Sequence, residues 1–150
     1  MYRYQILIEY LGTNFIGWQI QQKGQTIQGI IEVKLSNLLN EEISLFGSGR
    51  TDSGVHAIAQ SAHFDTKRKI NNLVKFLKSI NHFVNKKDIS ILKIKKKNLN
   101  FHARFSAKQR IYKYIIFNRL SRPSIEKGRG WHIIKKLDIN LMKKGAKKLI

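Results

Sequence analysis

The 150-residue sequence has no cysteine and a single proline, and it is poor in acid: 9 Asp and Glu stand against 29 Lys and Arg. Lack of cysteine excludes disulfides, thiolate catalysis and every cysteine-ligated metal site. No apolar run approaches the roughly 20 residues of a transmembrane helix. The N-terminus, Met1-Tyr2-Arg3-Tyr4-Gln5-Ile6, has none of the zones of a secretory signal, so a cytoplasmic protein without membrane association is expected. Walker loops, Gly-x-Gly-x-x-Gly fingerprints and Gly-x-Ser-x-Gly elbows are missing, leaving nucleotide cofactors and serine hydrolysis without support. The histidines lack metal-ligand spacing; His56 and His63 are seven apart on one expected strand, which sends them to opposite faces. No metal and no cofactor are expected.

What the chain has in excess is positive charge. A formal charge of +20 creates a field that favours a polyanionic partner, with nucleic acid foremost. Lysine-rich coding bias explains the same composition without any function, and the two explanations are compatible.

Period-two alternation of Tyr4, Ile6, Ile8 and Tyr10 marks a first strand, apolar enough on both faces to be central. Gly12 to Gly24 is a loop whose Trp18 is expected in the core, with base stacking as the alternative. Thr26 caps a helix carrying Ile27, Ile30, Ile31, Leu35, Leu38 and Leu39 on one side, with Gly29 marking a close contact. Strands follow at Ile43 to Phe46 and Ala57 to Phe64, then a helix through Leu73, Val74, Leu77 and Ile80. A fourth strand holds Ile89, Ile91 and Ile94. The order β-α-β-β-α-β is that of an α+β, ferredoxin-like domain, an antiparallel sheet with helices on one face.

Residues 1–97 are read as this domain and 98–150 as a connecting segment, a strand and a helix of an incomplete second half. That part is expected to hold a fifth strand from Arg110 to Asn118, with Tyr112 and Tyr114 on one face. An exposed loop is expected from Leu120 to Gly130, and a final helix capped by Asp138 that buries Leu141, Met142, Leu149 and Ile150. The helix runs to the last residue without a terminating signal, so the fold is expected to continue beyond it.

Chemistry concentrates in Phe46-Gly47-Ser48-Gly49-Arg50-Thr51-Asp52-Ser53-Gly54-Val55-His56-Ala57, a glycine-shaped loop between two strands. A carboxylate fixed there can act as nucleophile or general base, which makes Asp52 the catalytic candidate; ordinary Asp-Ser-Gly turn chemistry is the structural alternative. Arg50 suits a phosphate or a displaced base, and equally a solvated loop position. Tyr112, taken alone, fits the core of a strand.

The run Gly49 to Ala57 resembles the signature of the tRNA pseudouridine synthase A family, whose aspartate in that motif is the nucleophile. The resemblance extends through Gly17-Trp18-Gln19 with Gln21, through Thr26-Ile27-Gln28-Gly29, and through Phe101-His102-Ala103-Arg104-Phe105-Ser106-Ala107 followed by Arg110-Ile111-Tyr112-Lys113-Tyr114. It implies isomerisation of uridine to pseudouridine at positions 38 to 40 of the tRNA anticodon arm, by a homodimer, without metal or redox cofactor. On this likeness Asp52 is the nucleophile, Tyr112 contacts the uracil and Arg50 helps flip or hold the nucleotide. Family members also carry, in a second half, a basic residue that pairs with the aspartate, and no block here matches it. A noncatalytic basic RNA-binding module, since ferredoxin-like sheets bind single strands through exposed aromatics, or an inactive fragment of such a synthase is the competing expectation.

Overall fold

The computed structural model describes residues 1–149. They form two compact units, one from Met1 to Arg110 and the other from Ile111 onward.

The first unit contains β1 (Tyr2–Tyr10), α1 (Ile27–Leu39), β2 (Leu45–Gly47), β3 (Ala57–Thr66), α2 (Leu73–Val84) and β4 (Ile89–Lys97). Its sheet is antiparallel throughout, in the order β2-β3-β1-β4, which is the ferredoxin-like arrangement expected. β1 is central because both its edges are paired, one with β3 and the other with β4. Tyr4, Ile6, Ile8 and Tyr10 point into the core. On the other face Arg3 donates to both carboxylate oxygens of Asp65, each at 2.7 Å.

The helices pack on the Tyr4–Ile8 side. α1 contributes Ile27, Ile31, Leu35 and Leu39, all buried, and each such aliphatic side chain stabilises the fold by about 1.5–3 kcal/mol relative to exposure. Its start is fixed as the sequence indicates: the Thr26 side chain accepts from the Gly29 amide. Asn40, in the left-handed region at φ 51°, ends it. α2 is capped by Asn72 and buries Ile80 and Val84. Trp18 is 2% exposed, a core residue.

β4 contains a device that periodicity alone does not provide. Ile91 and Ile94 are three residues apart and would face opposite ways in a regular strand. Between them the register shifts, Leu7 pairing with Lys93 but Ile8 with Ile91, so Leu92 is the extra residue of a bulge. Both isoleucines therefore reach the core, and Lys93, Lys95 and Lys97 turn to the face away from the helices.

The second unit holds β5 (Ile116–Asn118) and β6 (Trp131–Ile133), paired parallel, and α3 (Ile139–Ala146). The fifth strand is thus shorter than the Arg110 to Asn118 expected. Alternation names strand-forming residues but supplies no partner, and the ladder to β6 spans three residues. Tyr112 and Tyr114 precede it, outside any regular element and 70% and 95% exposed. Asp138 caps α3 as expected, its side chain accepting from the amides of Asn140 and Leu141. The expected burial does not follow. Leu141, Met142 and Leu149 are exposed, because the unit offers no second layer to cover them; Ile150 lies outside the described residues.

Candidate active site

The loop between β2 and β3 takes its shape from what grips it. The Trp18 amide donates to the Thr51 carbonyl at 3.0 Å, the Gly54 amide to the Phe15 carbonyl at 3.2 Å, and the Val55 amide back to the Asp52 carbonyl at 3.2 Å. Ser53 Oγ also donates to the Phe15 carbonyl. From below, Tyr10 at the end of β1 runs a relay: its hydroxyl lies 2.8 Å from Thr51 Oγ1 and donates to Gln60 Oε1 at 3.1 Å. Gln60 Nε2 in turn donates to the Gly49 carbonyl at 3.0 Å. Burial pushes the Tyr10 hydroxyl above its ordinary value, against the opposing pull of the Thr51 hydrogen bond, so it stays a neutral donor.

Two glycines permit this approach. At Gly12 a Cβ would collide with the Val55 carbonyl oxygen, and the Gly12 amide donates to His56 Nδ1 at 2.8 Å. Gly17 sits at φ +117°, where a Cβ would lie 2.8 Å from the Thr51 carbonyl oxygen. The Phe15-to-Trp18 stretch and the Asp52 loop are thus fitted to each other backbone to backbone.

Within this grip the Asp52 side chain is exposed. Its carboxylate makes no hydrogen bond or ion pair with any described residue. A turn-forming aspartate would bond its own downstream amides; here the turn is closed by the Asp52 backbone carbonyl, leaving the carboxylate available. Arg50 shares the loop and is exposed as well. Tyr112 belongs to the second unit. The structure therefore brings two of the three sequence candidates onto one loop of the first unit.

Residues 99–106 lie across the open face of the sheet beside this loop. Arg3 Nη1 donates to the carbonyls of Leu99 and Phe101, both at 2.6 Å. The Ala103 amide donates to Nδ1 of His63, which is 1% exposed. Burial, then the nearby Arg3 and His102, lower the His63 pKa to about 4, so its ring is a neutral acceptor at neutral pH. Arg110 returns the segment to the loop, Nε donating to the Ser48 carbonyl at 2.9 Å. These holding residues escaped the sequence reading, although period-two alternation from Ala57 to Phe64 already put Gln60 and His63 on opposite faces. Among the described residues no group of three His, Asp or Glu is gathered as metal ligands.

A family model described as tRNA pseudouridine synthase matches residues 6–106, which include the whole gripped loop and its strap. Over all 150 residues the chain is 73% identical to tRNA pseudouridine synthase A of Pelagibacter ubique, of which it covers 61%. Identity to the proteins of that name from Wolbachia pipientis wMel and Anaplasma marginale is 42% and 39%, over 99% of the chain and 60% of each relative. The chain thus spans about three-fifths of the length of the curated relatives it matches.

Proposed function

This chain belongs to the tRNA pseudouridine synthase family, and from that premise we propose that it isomerises uridine to pseudouridine in tRNA with Asp52 as nucleophile. The supporting observation is the exposed Asp52 carboxylate, unpaired among the described residues, on a loop held by Trp18, Phe15 and the Tyr10 relay. In the reaction the N1–C1′ bond of the target uridine breaks, the uracil turns, and a C5–C1′ bond forms. The C5 hydrogen leaves as a proton and N1 gains one, so atoms and electrons balance without an oxidant or a metal. Asp52 attacks either C1′ of the ribose or C6 of the uracil, and a preorganised carboxylate serves both routes.

Arg50, exposed on the same loop, takes the place or the phosphate of the flipped nucleotide, and Tyr112 positions the uracil. Unstacking costs a few kcal/mol, which these contacts offset. The substrate positions are 38 to 40 of the anticodon arm, and the working form is a cytoplasmic homodimer. No helix among the described residues is long and apolar enough to cross a membrane.

Tritium release from tRNA labelled at uracil C5 tests the reading, run with the chain, with any longer product of the same gene, and with Asp52→Asn in each. Release that disappears in Asp52→Asn while tRNA binding persists is the expected result. Undiminished release by Asp52→Asn removes the nucleophile, and no release by either wild-type length removes the reaction.

A further inference from the structure

The face of the sheet opposite the helices is divided between two surfaces. Over β3 it is roofed by residues 99–106 through Arg3 and His63. Over β1 and β4 it stays open, a groove of about 130 Å³ lined by Gln5, Leu7, Lys93, Lys95 and Lys97. The bulge at Leu92 creates this arrangement by turning the three lysines outward while Ile91 and Ile94 stay in the core. Neither ion pair among the described residues uses them. The acid on the strand beside them is Glu9, opposite Ser90 at the far end, and Asp65 is committed to Arg3. Lys97 is steadied over the Phe101 ring at 4.9 Å, and Gln5 by Ser61 Oγ at 2.8 Å.

We infer that Lys93, Lys95 and Lys97 form a phosphate track that grips the tRNA backbone beyond the target nucleotide; this rests on tRNA being the substrate. Lysines at i, i+2 and i+4 on one strand repeat at about 6.7 Å, a spacing comparable to that of successive phosphates along a polynucleotide. Position along the sheet separates the track from the chemistry. Tyr10 carries the Asp52 loop, Leu7 pairs with Lys93 and Arg3 with Lys97, so the track starts about 10 Å from Tyr10 and ends about 24 Å away along the strand. It contributes to holding the substrate and not to turnover.

The test is tRNA affinity across a salt series for the wild-type chain, for Lys93→Gln/Lys95→Gln/Lys97→Gln, and for an equal-charge control, Lys75→Gln/Lys78→Gln/Lys86→Gln, on exposed positions of α2 and the turn after it. Loss of three phosphate contacts lowers the slope of log K against log salt by about two to three and weakens binding roughly tenfold or more near 0.1 M salt, while the control changes far less. Equal loss in both variants overturns the track in favour of bulk charge. So does a triple variant that self-associates with unchanged affinity, the signature of lysines that only guard an edge strand. A loss confined to vesicles of anionic lipid reassigns the surface to a membrane. Tritium release separates this proposal from the reaction: a wild-type chain with the track-dependent slope but no release keeps the track and loses the reaction. Release by the triple variant at wild-type KM does the reverse.

Discussion

The two units of this chain contrast in how their side chains are held. Among the described residues every buried hydrophobic side chain, from Tyr4 to Ala103, lies in the unit from Met1 to Arg110, and the Asp52 loop hangs from that core by Tyr10 and Trp18. From Ile111 onward, Tyr114, Leu120, Ile125, Trp131 and Leu141 are all exposed. A two-strand ladder and a short helix have too little apolar partner surface to bury one another. The lesson is that a short polar side chain is oriented by the backbone it rides on, and that backbone is rigid where a core lies beneath it. Asp52 has such a floor; Tyr112, offered by the second unit, does not share it.

If that contrast is right, core and loop substitutions in the first unit are felt strongly and equivalent ones in α3 hardly at all. Leu35→Ala, at 1% exposure, is expected to lower unfolding free energy by about 2–5 kcal/mol in urea denaturation. Gly12→Ala forces the Val55 carbonyl away and is expected to cost about 1–3 kcal/mol with a large drop in turnover. Tyr10→Phe removes the relay to Thr51 and Gln60 and should cost about 1–2 kcal/mol. It should also slow tritium release with tRNA affinity unchanged, and a turnover equal to wild type would show that the loop holds itself. Leu141→Ser on α3 is expected to stay within about 0.5 kcal/mol. A larger effect would mean that α3 is covered in solution.

Acid sharpens the same comparison. Because the folded pKa of His63 is lowered from 6.5 to about 4, the unfolded chain binds its proton first as pH falls. The stability tied to the neutral ring is complete above about pH 6.5 and drains away between there and pH 4. Asp65, held below its ordinary range by the Arg3 hydrogen bonds, adds a loss at still lower pH. The urea midpoint should fall across that window, with exchange of the Ala103 amide rising alongside it. His63→Asn, which keeps an acceptor without the titration, should flatten the fall.

Much of the first unit was legible because its signals are local and redundant. Tyr4 to Tyr10 alternate, Ile27, Ile31, Leu35 and Leu39 recur at helical spacing, and Thr26 is a cap whose side chain accepts from the Gly29 amide. The glycine-flanked Asp52 was visible as a shaped loop, but nothing in its own neighbourhood says whether a carboxylate bonds its turn or faces outward. That depends on Trp18, Phe15 and Tyr10, more than 30 residues earlier. The bulge at Leu92 was latent in the three-residue spacing of Ile91 and Ile94. The fifth strand was overextended because alternation from Arg110 to Asn118 describes a chain able to pair, while pairing needs a second strand of matching length. α3 failed in the same way: its apolar side chains are spaced for burial, but burial requires a surface that sequence periodicity does not supply.

The most direct check on the central claim, that Asp52 is held for chemistry and not for folding, is to measure tritium release and the urea midpoint on one Asp52→Asn preparation, in a length of the protein that is active. Because its carboxylate bonds no described residue, the midpoint should match wild type within about 0.5 kcal/mol while release falls by roughly 10⁴-fold or more. A variant that keeps its turnover, or one that loses it only in step with a lowered midpoint, would contradict the account.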